Sequence, residues 1–273
     1  MLGILAALSG GCPSSRFANA NDYINLGNKK IEAAEYDVAI ADFTKAIQLN
    51  PALAEAYTGR GRAEGAKGDL DDAMADLNKA IELNPKDDMA YKGRSAAKAA
   101  KGDIDGTIAD ATKAIELNPK NEGAYRNLSV AKEYKGDFDG AIADAIKAIE
   151  LNPKDAEAYY NRGVARADKS DFDGALADYD HVLELDPKNA KAYNNRGVAK
   201  ADKGDLDGAI ADYNKFIELV PEFAGAYYNR GNAEKGKGDL NGAIADYKHV
   251  LVLDPKNQQA QAELAKLDAA EKK

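Results

Sequence analysis

Seven of the eight prolines, Pro51, Pro85, Pro119, Pro153, Pro187, Pro221 and Pro255, stand 34 residues apart. A period of that size marks a stacked repeat, whose units are small supersecondary elements that bury their apolar faces only against one another. A frame opening at Ala20 puts the proline at position 32 and gives seven units: 20–53, 54–87, 88–121, 122–155, 156–189, 190–223 and 224–257. Position 4 is Tyr in all seven, from Tyr23 to Tyr227, and position 23 is Asp in all seven, from Asp42 to Asp246. Position 8 is Gly or Ser throughout, and position 20 is Ala except for Thr107.

Within a unit the apolar spacing is helical. In the fifth unit Tyr159 and Gly163 are four apart, and Ala175, Tyr179, Val182 and Leu183 continue at steps that keep to one face. Between the two runs sits Gly-Asp, as in Gly102-Asp103 and Gly204-Asp205. Glycine suits the left-handed residue that ends one helix, and aspartate caps the start of the next. The proline falls where the second helix must stop. Each unit is expected to be helix A, tight turn, helix B and a short loop. Residues 258–273 form a capping helix and tail, with Ala260, Leu264 and Leu267 as its apolar stripe.

The Tyr-x-x-[Arg/Leu]-[Gly/Ser] run, the Ala at position 20 and the Pro at position 32 resemble the tetratricopeptide repeat over residues 20–257. The resemblance implies an all-α fold, a right-handed α-solenoid of seven helix-turn-helix repeats with helix A of each unit lining a concave groove. It also implies that the position-4 Tyr, where the family often has Trp, packs its ring over the small residue at position 8.

Composition narrows the function. Lys and Arg number 37 against 46 Asp and Glu, a net charge of −9, which disfavours nucleic acid because a phosphate backbone needs a basic face. One Cys and two His leave little for a disulfide, a zinc site or a nucleophile. His181 and His249 share position 26 of helix B, two units apart, and read as exposed helical residues. Asp137-Phe138-Asp139-Gly140 lacks the remaining oxygen ligands of a calcium loop and reads as a turn with its cap. No Gly-rich phosphate loop or nucleophile elbow is present. Neither an enzyme nor a cofactor is expected.

Two departures inside the array have structural consequences. Position 7 is Arg60, Arg94, Arg162, Arg196 and Arg230, on the packing side of helix A. These arginines either pair with the invariant Asp at position 23 or send their guanidinium groups to solvent while their stems pack. Position 24 is Ala111 and Ala145 in units three and four but Tyr179, Tyr213 and Tyr247 in the last three. The thin middle units need compensating neighbours or form a softer stretch.

The expected binding surface is the groove of units four to seven. Position 6 carries Asn127, Asn161, Asn195 and Asn229, an amide row that could pair with the backbone of an extended peptide. Asparagine ladders of this kind bind ligands in some tetratricopeptide proteins; the other reading is a solvated row with no ligand. Around it lie Val130, Val164, Val198, Tyr160, Tyr228 and Tyr134, with Glu133, Asp168 and Asp202 adding negative charge that favours basic segments. The family's clamp for a C-terminal carboxylate is not matched: Val130 lacks the amide and Asn195 the charge that it needs.

The segment 1–19 resembles the end of a bacterial lipoprotein signal: an apolar stretch, small residues, then Cys12 as the lipid-attachment residue and a polar tether. No Lys or Arg precedes the apolar stretch, and Ser9 stands where a branched apolar residue is preferred. The alternative is an apolar N-terminus on a cytoplasmic protein. The leading expectation is a non-enzymatic scaffold binding a partner polypeptide in the concave groove, exported and anchored to a membrane through Cys12. The alternatives are a lipid-anchored envelope assembly factor using its convex or edge surface, and a regulatory subunit of a separate enzyme.

Overall fold

A computed structural model describes residues 19–271, so Cys12 and its neighbours lie outside the described residues. The described residues form fifteen α-helices and no strand. The described residues divide into two compact units, one ending at Pro119 and the other beginning at Lys120. The first holds α1 (Ala20–Glu32), α2 (Tyr36–Leu49), α3 (Ala54–Lys67), α4 (Leu70–Leu83), α5 (Asp88–Ala100) and α6 (Ile104–Leu117). The second holds α7 (Glu122–Tyr134), α8 (Phe138–Leu151), α9 (Ala156–Asp168), α10 (Phe172–Leu185), α11 (Ala190–Asp202), α12 (Leu206–Leu219), α13 (Ala224–Lys237), α14 (Leu240–Leu253) and α15 (Gln258–Glu271). In each unit odd and even helices alternate as A and B, every A helix packing on its own B helix and each B helix on the next A helix within the same unit. Helix α15 closes on α14, burying Ala260 and Leu267.

Local sequence explains the repeating hairpin. Asp103, Asp137, Asp171, Asp205 and Asp239 accept the backbone N–H three residues on and so start five of the B helices. The residue before the B-helix cap is left-handed, and where it is not glycine the backbone is strained: Ala34 has φ 57° and Ser170 has φ 63°. Ser170→Gly should therefore stabilise the α9–α10 hairpin by up to about 1 kcal/mol, the left-handed penalty less glycine's greater freedom when unfolded. Urea titration checks this, and an unchanged midpoint would remove the strain argument. The A helices carry their own caps, which the sequence reading did not identify. Asp87, Asn121, Asp155 and Asn189 at position 34 accept from the backbone three residues on. The Asn or Asp before the proline closes a side-chain turn on the backbone two residues later, at Asn50, Asn84, Asn152, Asp186 and Asp254.

The core is built from small residues and one large residue per unit. Ala at position 20 is buried wherever it occurs, and the position-24 side chain closes over position 8. A Cβ on Gly163 would lie 2.8 Å from Tyr179, and one on Gly197 2.8 Å from Tyr213. The ring over position 8 is thus that of position 24, where the sequence reading put the position-4 tyrosine. That tyrosine instead lies beneath the arginine at position 7, and in Tyr193 and Tyr227 its hydroxyl donates to the carbonyl of the preceding proline. The thin middle units are compensated. Where position 24 is Ala111 or Ala145, position 8 is the fully buried Ser95 or Ser129, and Ser129 donates to the Ala141 carbonyl at 2.8 Å.

All five position-7 arginines grip the position-23 aspartate of their own repeat through both Nε and Nη2, at N–O distances of 2.5 to 3.1 Å. The guanidinium lies 5.4–5.8 Å from the position-4 ring in each case. Four of them use Nη1 to reach position 25 of the preceding repeat: Thr44, Asn78, Asp180 and Asn214. One side chain therefore joins helix A, helix B and the previous repeat. The hydrogen bonds to aspartate raise the pKa of Arg60, Arg94, Arg196 and Arg230 despite burial. A second cation at position 11, Lys98, Arg166 or Lys200, completes three of the sites, and in the fourth unit, where position 7 is Leu128, Lys132 pairs with Asp144 alone.

Position 11 is acidic in two repeats. Glu64 and Glu234 face Asp76 and Asp246, and one carboxylate oxygen of each glutamate is buried without a hydrogen-bond partner among the described residues. Burial, then the Asp76 charge, push Glu64 up to about 7. A carboxyl raised on folding is stabilising below its unfolded pKa, and that contribution is lost as pH rises from about 4.5 through 7. Glu64→Gln should flatten that part of the stability–pH profile, which for one proton slopes by at most about 1.4 kcal/mol per pH unit. Denaturant melts at pH 5 and pH 8 check it; parallel profiles for the two proteins would show that Glu64 does not titrate there.

Candidate peptide-binding clefts

The A helices α7, α9, α11 and α13 stand side by side in the second unit, and their exposed faces leave a row of four clefts. The first, about 520 Å³, is lined by Arg126, Asn127, Val130, Glu157, Tyr160, Asn161 and Lys191 among others. The next, about 410 Å³, shares Val130, Tyr160, Asn161 and Lys191 and adds Glu133, Tyr134, Val164 and Asn195. The third lies between α9 and α11, with Val164, Asp168, Phe172, Tyr179, Asn195, Val198 and Asp202. The fourth lies between α11 and α13, with Val198, Asp202, Leu206, Tyr213, Asn229 and Asn232.

The sequence-derived residues fall on this row with one exception. Asn127, Asn161, Asn195, Asn229, Val130, Val164, Val198 and Tyr160 all line clefts, and consecutive clefts share residues. Tyr228 lies apart from them, packed against Tyr247 with ring centroids 5.8 Å apart. The asparagines are not equivalent. Asn195 donates to the Tyr160 hydroxyl at 3.0 Å and accepts from Asn194, so its amide is held within the protein.

Charge is distributed unevenly around the row. Arg126 is held by Asp155 and Glu157 at 2.8 and 3.1 Å. Glu133, Asp168 and Asp202 form no ion pair among the described residues, in contrast to the aspartates gripped by the arginine ladder. Burial and then the neighbouring Asp168 charge raise the pKa of Glu133. Tyr134 stands 72% exposed at the mouth of the second cleft, an aromatic surface open to solvent.

Four large lining residues from α10 and α12 were missed from the sequence. Tyr179 and Tyr213 read as pure core, yet their buried rings form the floors of the third and fourth clefts; Phe172 and Leu206 form walls. The signal that could have found them is their period: positions 17 and 24 are large and apolar in both units, one helix away from the asparagine row. Burial pushes the Tyr160, Tyr179 and Tyr213 hydroxyls up, so they stay protonated near neutral pH. His181 and His249 stack on Tyr159 and Tyr227 at 4.1 and 4.2 Å, away from the clefts. Among the described residues no cluster of His, Cys, Asp and Glu is placed to hold a metal, and no helix is long and apolar enough to cross a membrane.

Stacked helical hairpins with an open face of A helices define a repeat scaffold. Tetratricopeptide repeat models match residues 54–87, 126–190, 178–211, 199–236 and 224–257, and the chain belongs to the tetratricopeptide repeat family. Among solved structures, the APC/C hetero-tetramer Cut9-Hcn1 matches with TM-score 0.74 at 19% identity, over 91% of this chain and 52% of that one. The chain thus spans about half the length of that match, and the likeness is one of fold. MamA matches with TM-score 0.56 at 29% identity, over 63% of this chain and 94% of that one. YrrB, described as a TPR protein with an unusual peptide-binding site, matches with TM-score 0.53 at 28% identity, over 67% of this chain and 95% of that one. No curated protein sequence matches the chain.

Proposed function

We propose that the chain is a non-enzymatic scaffold that binds an extended polypeptide segment along the clefts of α7, α9, α11 and α13. The family and its structural relatives support a protein-interaction scaffold. The observation that carries the finer reading is continuity: four adjoining clefts repeat valine, aromatic ring and amide at the period of the helices. Such a surface offers apolar contact area together with hydrogen bonds to a peptide backbone, whatever its side chains. The net charge of −9 supports protein rather than nucleic acid as the partner. Selection of displayed random peptides on the full chain tests the proposal. Changing Asn127, Asn161, Asn195 and Asn229 to alanine should weaken the enriched peptides by at least about tenfold, from the summed loss of amide hydrogen bonds. Equal binding to both proteins would place the partner on another face.

A second reading concerns location, and the sequence around Cys12 supports it. On this reading Cys12 is lipidated and holds the scaffold at a bacterial envelope membrane, with Pro13 to Ala18 as tether. The intact mass of protein from its own host decides it. A chain beginning at Cys12 with added diacylglycerol upholds the anchor; a chain retaining Met1 or Leu2 overturns it.

A further inference from the structure

The third and fourth clefts repeat one pattern a full repeat apart. In the third, Asp168, Phe172 and Tyr179 come from one repeat and Asn195 from the next; in the fourth, Asp202, Leu206 and Tyr213 face Asn229 in the same way. Asp202 lines both. Two observations point to a ligand. Neither carboxylate is neutralised by a lysine or arginine among the described residues, although aspartates elsewhere in these repeats are paired. Tyr213 is only 2% exposed, yet it lines the fourth cleft and its hydroxyl has no hydrogen-bond partner among the described residues. The equivalent Tyr247 donates to Asn232 at 2.8 Å, and the residue at that position in the repeat of Tyr213 is Val198, which offers no acceptor. A hydroxyl at the tip of a buried ring and open toward a cleft keeps a donor and acceptor sites for a ligand group that enters it.

We propose that these two clefts are paired subsites for basic side chains, lysine or arginine, of the bound peptide. The proposal rests on the cleft-binding reading above and gives it a ligand chemistry. The methylene stem of such a side chain lies along Val198 and Leu206, or Val164 and Phe172. Its cation meets Asp202 or Asp168, and in the fourth cleft the Tyr213 hydroxyl oxygen accepts one of its N–H groups. A neutral side chain would leave the carboxylate uncompensated in the cleft, and an acidic one would be repelled.

The test is the displayed random-peptide selection carried out on wild type, on Asp168→Asn with Asp202→Asn, and on the four-asparagine variant. Circular dichroism of each protein verifies that the isosteric changes leave the fold intact. Enrichment of Lys and Arg on wild type, lost on the Asp→Asn protein, is the expected result. For the best enriched peptide the Asp→Asn protein should bind about tenfold more weakly, and less so at high salt. Tyr213→Phe keeps the ring on the floor of the cleft and should weaken the same peptide about threefold or more, the loss of one hydrogen bond to a charged group. Peptides with no basic excess that still depend on the asparagines would overturn the basic subsites and leave the cleft reading standing. No enrichment, or enrichment indifferent to both sets of changes, would overturn the two together.

Discussion

Asp178→Ala should destabilise the α9–α10 hairpin by about 3–5 kcal/mol, the range for removing one partner of a buried ion pair. The carboxylate is 2% exposed and holds two cations, Arg162 through Nε and Nη2 and Arg166 through Nη1 at 2.8 Å. Its loss leaves Arg162 mostly enclosed beside the Tyr159 ring without an anion, and leaves Arg166 only the more distant Asp171 at 3.8 Å. Each repeat interacts mainly with its neighbours, so the effect should be regional. Hydrogen exchange should quicken most in α9 and α10 and less at α15. Arg162→Lys should cost less than Asp178→Ala, because an ammonium keeps the charge and gives up the two-pronged geometry. Uniformly slow exchange in the Asp178→Ala protein would mean that the arginines had found solvent at little cost.

The second large effect is expected at the contact between positions 8 and 24. Tyr213→Ala removes a ring that is 2% exposed and should cost about 3–5 kcal/mol, as for other buried aromatics. Gly197→Ser places a side chain where a Cβ alone would lie 2.8 Å from that ring, and should cost about 1–3 kcal/mol through overpacking. The two together recreate the combination that units three and four already use, Ser95 with Ala111 and Ser129 with Ala145. The double variant should therefore be more stable than the sum of the single losses by about 1 kcal/mol or more, the coupling expected of residues in contact. Urea titrations of the three proteins measure that coupling. Strict additivity would show that the serine–alanine pairing compensates through other neighbours.

Much of the architecture is legible in the order of the residues alone. The 34-residue period, the helical spacing and the Gly-Asp turns specify the hairpins, since each depends only on contacts a few residues apart. The arginine–aspartate pairing is also within reach of the sequence, because two regular columns of opposite charge recur 16 residues apart. What the arginine does with its third nitrogen is not. The reach to Thr44, Asn78, Asp180 and Asn214 depends on how one repeat is set against the previous one, which no single column states.

The candidate site divides the same way. Sequence places the asparagine row and three valines on the open face of the A helices, because a 3.6-residue period assigns a helix position to one side. It also groups Tyr228 with them, whereas that ring, packed on Tyr247 as Tyr160 is on Tyr179, lines none of the four clefts. Tyr179 and Tyr213 read as core alone, since burial and cleft-lining look alike in a hydrophobic pattern. Local chemistry by itself determined the repeat, its turns and the composition of its faces. The tertiary structure alone decided which amide is already bonded, which tyrosine hydroxyl is left open and which carboxylates stand without a cation. Those facts are set by distances between side chains on different helices, and only the packed stack fixes such distances.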